Sequence, residues 1–426
     1  MSIEVVCGTN WGDEGKGRMV DYLAREADAV VRYQGGNNAG HTVVNEWGTF
    51  ALHLIPSGIF NPHATCVLGP GTVIDLEALE TEIQSLTAAG ISCENLKISD
   101  RATILFPFYR YEDAWEEERL GDQAYGSTKN GIAPAYGDRH AKKAIRVGEL
   151  LYPQQFKAQL QRVVEWKNLV AAGVFNQQSG VDYQSMVDWA FNYGGKLKDR
   201  ICDTTEFLEQ MAADGKRILF EAQLGALRDV FYGIYPYTTS SCSLASFAPI
   251  GGGLFNRRID RVLGVMKAFS TCVGEGPFVA AMTEEEAKDL RETAMEYGAT
   301  TGRPRRIGHF DAVASRFGAA VQGATEIALT KLDSLSGRKL LRICTHYEYD
   351  GAQHTRFPLN PALEEARPIY AECDGWQEDV SDCRKFAALP PAAQHYVLQI
   401  EALVNCRIRY VSVGPERSQL IDRGAA

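Results

Sequence analysis

Two acids and a lysine lie among three glycines in Gly12-Asp13-Glu14-Gly15-Lys16-Gly17. An apolar run over 3–8 precedes them and an amphipathic stretch over 16–25 follows, so the segment reads as strand, loop and helix. In that setting backbone N–H groups and a helix N-terminus bind phosphate, and glycine lets the backbone come close to its oxygens. Lys16 can reach toward terminal phosphates. The string nearly fits the pattern G-x-x-x-x-G-K-[ST] but departs from it twice. Asn10 stands where the first glycine belongs, and Gly17 replaces the hydroxyl that would touch magnesium. Asp13 is then the candidate metal ligand. A tight strand–helix turn could need the glycines for steric reasons alone, but it would not require two acids and a lysine.

Other reactive groups lie far along the chain. His41, in Gly40-His41-Thr42, is by itself as well explained by a turn as by catalysis. Thr330-Lys331-Leu332-Asp333 follows an apolar run and is similar to the NKxD element that reads guanine. A carboxylate there can accept both N1–H and the 2-amino group, a donor pair adenine lacks; a surface ion pair is the bland alternative. Residues 299–306 carry two hydroxyls and three guanidinium groups on a glycine-bounded loop. Arginine binds carboxylates through two parallel hydrogen bonds, so this loop fits a dicarboxylate or a phosphate unless it is merely a solvated basic turn.

Short β-rich runs alternating with amphipathic stretches must position these groups, which predicts an α/β fold. The expected architecture is a large, mostly parallel sheet flanked by helices, with a P-loop-like core and helical insertions. Strands are expected at 3–8, 29–33, 66–69, 217–221, 262–269, 326–331 and 408–413. Helices are expected at 16–25, 75–89 (capped by Asp75), 310–321 and 391–404. Residues 151–216, rich in glutamine and charge, read as a helical insertion in a single domain spanning 1–426.

The chain has 426 residues, 45% of them hydrophobic, and a formal net charge of -10. That charge argues against holding nucleic acid by phosphate neutralisation but allows one positive cleft for a small anion. The ten cysteines are scattered singly, with no zinc or CxxC spacing, and read as reduced thiols. No leader-like start and no apolar run of about 20 residues is visible, so a cytoplasmic protein without membrane partners is expected.

The string GTNWGDEGKGR at 8–18 resembles the signature of adenylosuccinate synthetases, and VRYQGGNNAGHT at 31–42 resembles that family's second signature. Further similar segments follow in order at 53–58, 235–241, 298–303, 330–333 and 412–417, covering nearly the whole chain. The resemblance implies GTP-dependent joining of L-aspartate to IMP through a 6-phosphoryl intermediate, with magnesium, giving adenylosuccinate, GDP and phosphate. It makes Asp13 the base that takes the purine N1 proton, His41 the donor at the transferred phosphoryl group, and Lys16 a third catalytic residue. It assigns GTP to Gly12, Asp13, Glu14, Gly15, Lys16, Gly17, Gly40, His41, Thr42, Lys331, Leu332, Asp333, Ser412, Gly414 and Pro415. Magnesium falls to Asp13 and the Gly40 carbonyl. IMP falls to Asp13, Asn38, Thr128, Gln223, Thr239, Val273 and Arg303, with Lys142 supplied by the partner of a homodimer. Aspartate falls to Ala299, Thr300, Thr301, Arg303 and Arg305.

Three departures from the family pattern surround the nucleotide. Lys142 stands where the family commonly has arginine, Gly126-Ser127-Thr128-Lys129-Asn130 replaces Gly-Thr-Thr-Gly-Arg, and Gln223 is shifted by one place. They keep open a relative acting on another purine nucleotide such as dGMP. A GTP-binding switch is a third reading, against which His41 and the Arg303 loop stand.

Overall fold

The computed structural model describes residues 2–178, 180–298 and 302–424. Ten strands form the central sheet: β1 (Ser2–Gly8), β2 (Ala29–Arg32), β3 (Thr65–Leu68), β4 (Leu96–Ser99), β5 (Ile201–Cys202), β6 (Arg217–Gly225), β7 (Arg261–Lys267), β8 (Glu326–Thr330), β9 (Ile408–Ser412) and β10 (Leu420–Asp422). Their order is β10-β9-β8-β7-β1-β6-β2-β3-β4-β5, and each pairing is parallel except β9 with β10.

Unbroken apolar runs suit this sheet because parallel strands are buried on both faces. Alternation along β1 divides its side chains between two cores. Val5 and Cys7 pack with Leu208 and Ala212 of α2 (Thr204–Ala213), whereas Val6 packs with Met19 and Val20 of α1 (Lys16–Leu23). The sheet expected at the sequence level is therefore present, flanked by helices on both faces.

Asp75 caps the helix Leu76–Ala88, accepting the Ala78 N–H as expected, and the helix Pro391–Val404 matches its expected bounds. The helix expected at 310–321 starts instead at Ala312. Asp311 caps it, and Phe310–Asp311 is drawn into a short parallel pairing with Ile343 and Cys344. Residues 151–216 hold the long helices Pro153–Gly173 and Tyr183–Leu197, together with β5 and α2.

β1 lies between β6 and β7, so the loop after it opens at a reversal of strand order. Open α/β sheets bind ligands at the carboxyl ends of strands at such a point. The loop after β1, the end of β6, Lys267 on β7, Thr330 on β8 and Ser412 on β9 all lie along that edge.

Candidate active site

Left-handed backbone shapes the loop after β1: Gly12 has φ 99°, Gly15 φ 98°, and Asp13, with a Cβ to accommodate, φ 59°. Glu14 turns inward. One of its carboxylate oxygens accepts the N–H groups of Asn10 (3.1 Å) and Gly12 (2.9 Å), while the other takes Lys16 Nζ at 2.6 Å. Thr330 Oγ1 donates to the Glu14 carbonyl at 2.6 Å and ties the loop to β8. Donors suited to phosphate thus converge on a carboxylate from the same loop.

Gly17 has a steric cause. A Cβ there would lie 2.8 Å from His41 Cβ and 3.1 Å from Ser57 Oγ. Helix α1 therefore rests directly on the His41 strand, and the hydroxyl of an ordinary phosphate loop has no room.

His41 starts a hairpin in which His41–Asn45 pairs with Gly48–Leu52. Its Nδ1 lies 2.5 Å from Glu221 Oε1, and Ser57 donates to the same carboxylate through its N–H (2.8 Å) and hydroxyl (2.7 Å). Burial pushes the imidazole below its ordinary value, opposed by Glu221. Burial also pushes the Glu221 carboxyl up, but His41, Arg32 and Ser57 outweigh it and hold the group ionised. Glu221 fixes the ring so that Nε2 is left for a ligand.

A cleft of about 840 Å³ opens beside the loop, and Asp13, Asn38, Thr128, Thr239 and Val273 line it, as does Leu224. The Thr128 turn is fastened to the helix Pro107–Leu120: Glu117 accepts the N–H groups of Gly126 and Ser127, and Asp113 accepts the Ser127 O–H and the Gly131 N–H. Gln223 is buried elsewhere. Its Oε1 accepts Gly36 N–H (2.9 Å) and Arg32 Nη2 (3.1 Å), and its amide nitrogen donates to Asn38 Oδ1. Leu224, with φ 59°, faces the cleft in its place. Lys142 is exposed just past the helix Ile132–His140.

At the β8 end Lys331 also takes a left-handed backbone (φ 64°) and donates from Nζ to the Ala294 carbonyl at 2.6 Å. Asp333 Oδ1 is buried without a hydrogen-bond partner, and burial pushes the carboxyl up. Leu332 N–H donates to the Ser412 carbonyl, and Ser412 Oγ to the Gly414 carbonyl. Arg18 of α1 donates to Ser412 Oγ and to the carbonyls of Glu416 (2.6 Å) and Gln419 (2.9 Å), linking this turn to the phosphate loop. Arg305 Nε lies 3.2 Å from Asp13 Oδ2. Ala299, Thr300 and Thr301 lie outside the described residues.

Sequence reasoning missed Glu221, Arg18 and Lys267, and left open whether Gln223 or Leu224 faces the nucleotide. Arg18 alone carried a local signal, as the residue closing the glycine-rich string.

A parallel sheet carrying a glycine-rich loop, a carboxylate-held histidine and a turn with a buried carboxylate along one edge has the layout of a nucleotide-dependent α/β enzyme. A family model described as adenylosuccinate synthetase matches residues 5–421, and the chain belongs to that family. It is 51% identical over 424 residues to adenylosuccinate synthetase 2 of Pseudoalteromonas translucida (strain TAC 125), covering 98% of this chain and 99% of the relative. It is 46% identical over 422 residues to the adenylosuccinate synthetase of Thermoanaerobacter sp. (strain X514), with 99% of each covered. A solved structure of a fully ligated adenylosuccinate synthetase from Plasmodium falciparum is similar throughout, with TM-score 0.94, 33% identity and both chains covered in full. The succinoaminodeoxyadenylate synthetase of cyanophage S-2L, bound to dGMP and dATP, shares the fold at TM-score 0.58 and 20% identity, covering all of this chain and 96% of that one. The chain is thus an enzyme of a GTP-dependent ligase family of purine biosynthesis. Among the described residues no helix is long and apolar enough to cross a membrane.

Proposed function

We propose that the protein joins L-aspartate to IMP with GTP, giving adenylosuccinate, GDP and phosphate. The observation that carries this reading is the meeting of Asp13, Lys16, the Glu221-held His41 and Arg305 around one loop. Asp13 takes the N1 proton of the purine as O6 attacks the γ-phosphorus, and the bond to the β-phosphate oxygen breaks. Lys16 leaves Glu14 for the phosphates, and His41 donates to the moving phosphoryl group. The aspartate amine then attacks C6, the C6–O bond breaks, and phosphate leaves with the charge the amine's lost proton balances.

Gly12, Gly15, Gly17, Gly40 and Thr42 border the phosphates, and Asp333 accepts from guanine beside Lys331, Leu332, Ser412, Gly414 and Pro415. The unpartnered Asp333 oxygen supports that role. Asn38, Thr128, Thr239, Val273 and Arg303 hold IMP, with Lys142 reaching in from a second copy, while Gln223 sets the turn that presents Asn38. Arg303 and Arg305 hold L-aspartate with Ala299, Thr300 and Thr301.

Among the described residues no three carboxylate, histidine or cysteine side chains gather at metal-binding spacing. The oxygen donors of Asp13 and the Gly40 carbonyl suit a magnesium ion held chiefly by substrate phosphates, where it neutralises charge.

The test is purified protein with GTP, magnesium and L-aspartate, offered IMP or dGMP. Adenylosuccinate from IMP is the expected result. Turnover of dGMP alone, or GTP hydrolysis indifferent to both, rejects the reading.

A further inference from the structure

Glu296 lies fully buried just beyond the helix Glu284–Thr293. Its carbonyl accepts the Arg305 N–H at 3.0 Å, and Gly298 N–H reaches the Arg303 carbonyl at 2.8 Å. Residues 296–298 and 303–305 therefore form the two-stranded stem of the loop assigned to L-aspartate. Across that stem Glu296 Oε2 accepts from Arg305 Nη1 at 2.5 Å and from Lys267 Nζ at 2.7 Å. Its other oxygen has no hydrogen-bond partner and faces Lys331 Nζ at 3.9 Å. Lys267 ends β7 and also donates to Thr271 Oγ1 at 2.8 Å.

One carboxylate thus touches basic residues from three segments: a core strand, the amino-acid loop and the base turn. A buried acid needs a partner, but one lysine would suffice. Three cations around a single acid, with Asp13 the next anion along through Arg305, make Glu296 their shared counter-charge. Removing Glu296 would set these cations against one another and leave Arg305 with Asp13 alone. Burial pushes the Glu296 carboxyl up, but Lys267, Arg305 and Lys331 more than reverse this and hold it at about 2. It is a fixed anion across the working pH range.

We propose that Glu296 is a positioning residue for the amino-acid site, orienting Arg305 toward the incoming carboxylate and linking it to Lys331 at the base pocket. Arg305 has two faces in this arrangement. Nη1 is held from behind by Glu296, and Nε lies beside Asp13. Held in this way, the guanidinium turns to a ligand carboxylate without its head group being ordered anew on binding. Its grip on Asp13 is also shared with a stronger partner, so the base stays available to the nucleotide. The inference rests on the ligase reading above.

The experiment uses the full chain as Glu296→Gln and Glu296→Asp, with each of the three substrates varied in turn and the melting temperature of every variant recorded. Glu296→Gln is expected to raise the KM for L-aspartate roughly 20-fold, the scale of a lost charge-assisted hydrogen bond, with the KM for IMP within about twofold of the parent. Glu296→Asp, which keeps the charge but shortens its reach, is expected to recover most of the loss. An aspartate KM within about twofold of the parent, or an equal rise in all three KM values tracking a fallen melting temperature, overturns the proposal. Should the Gln variant not fold, Lys267→Gln, which removes a cation that steadies Glu296, decides by the same split between aspartate and IMP. A parent enzyme that makes no adenylosuccinate overturns the ligase reading instead. The proposal is then decided by equilibrium binding of GDP, which Glu296→Gln must weaken about fivefold through Lys331; unchanged GDP affinity overturns it.

Discussion

Glu221 Oε1 lies 2.5 Å from His41 Nδ1, on a carboxylate that also accepts both donors of Ser57. The histidine's direction is therefore fixed from below, by a residue that need not meet substrate. Glu221→Gln keeps the shape but loses the fixed charge that stabilises a donating ring. It is expected to lower kcat about 100-fold while leaving the KM for IMP nearly unchanged. Steady-state kinetics beside a thermal melt checks this, and a kcat within a fewfold of the parent rejects the role.

Lys267 sets an alkaline boundary. Burial pushes its ammonium down to about 8, opposed by Glu296 and reinforced by Arg305 and Lys331. The folded value lies below the unfolded one, so between about 8 and the ordinary lysine range the unfolded chain holds the extra proton. This group's contribution to stability therefore rises with pH across that window. Activity moves the opposite way, because a neutral Lys267 no longer helps Glu296 hold Arg305. A pH profile of kcat/KM for L-aspartate should fall above about pH 8, and Lys267→Arg should move the falling limb upward. A profile flat to pH 9.5 in the parent contradicts the assignment.

Asp333 predicts a change of base. A carboxylate accepts two N–H groups, whereas an amide accepts one and donates one. Asp333→Asn should therefore lose GTP by roughly two orders of magnitude in kcat/KM and gain XTP, whose C2 bears an oxygen in place of the amino group. Nucleotide competition with both triphosphates measures it, and unchanged preference for GTP places the base elsewhere.

Leu224 holds a backbone that glycine adopts freely, at a strain of ~1 kcal/mol. Leu224→Gly exchanges that strain for lost apolar contact with Gly12, which its Cδ2 approaches. The melting temperature should stay within about 3 °C of the parent while the KM for IMP rises severalfold. Equal losses of stability and affinity would make Leu224 a packing residue only.

What was legible in the sequence was local. The strand–loop–helix setting of the glycine-rich segment, the Asp75 cap and the Pro391–Val404 helix rest on neighbouring residues, and the sheet on unbroken apolar runs. The charge pairs that aim the site were not legible. His41 and Glu221 are 180 residues apart, and Lys267 and Glu296 are 29 apart across two different elements. A buried Glu in a strand reads like any other until the fold delivers its partner. Gly17 shows the same limit: its missing side chain read as a lost metal contact, and only the approach of His41 gives the steric reason. Gln223 read as a pocket residue by resemblance, yet its side chain turns inward to Gly36 and Arg32 and leaves Leu224 at the wall.

Glu14 bears on which anions can remain in the loop. Its carboxylate is tethered two residues from Lys16 and engages the N–H groups of Asn10 and Gly12. Such an acid competes at the effective concentration of a short tether, in the millimolar range or above. A lone phosphate ion has only those few donors to gain and is outcompeted. On the proposed reading, a triphosphate whose base engages Asp333 brings a second foothold and wins the exchange. On that reading the loop disfavours the small anion that the proposed reaction releases.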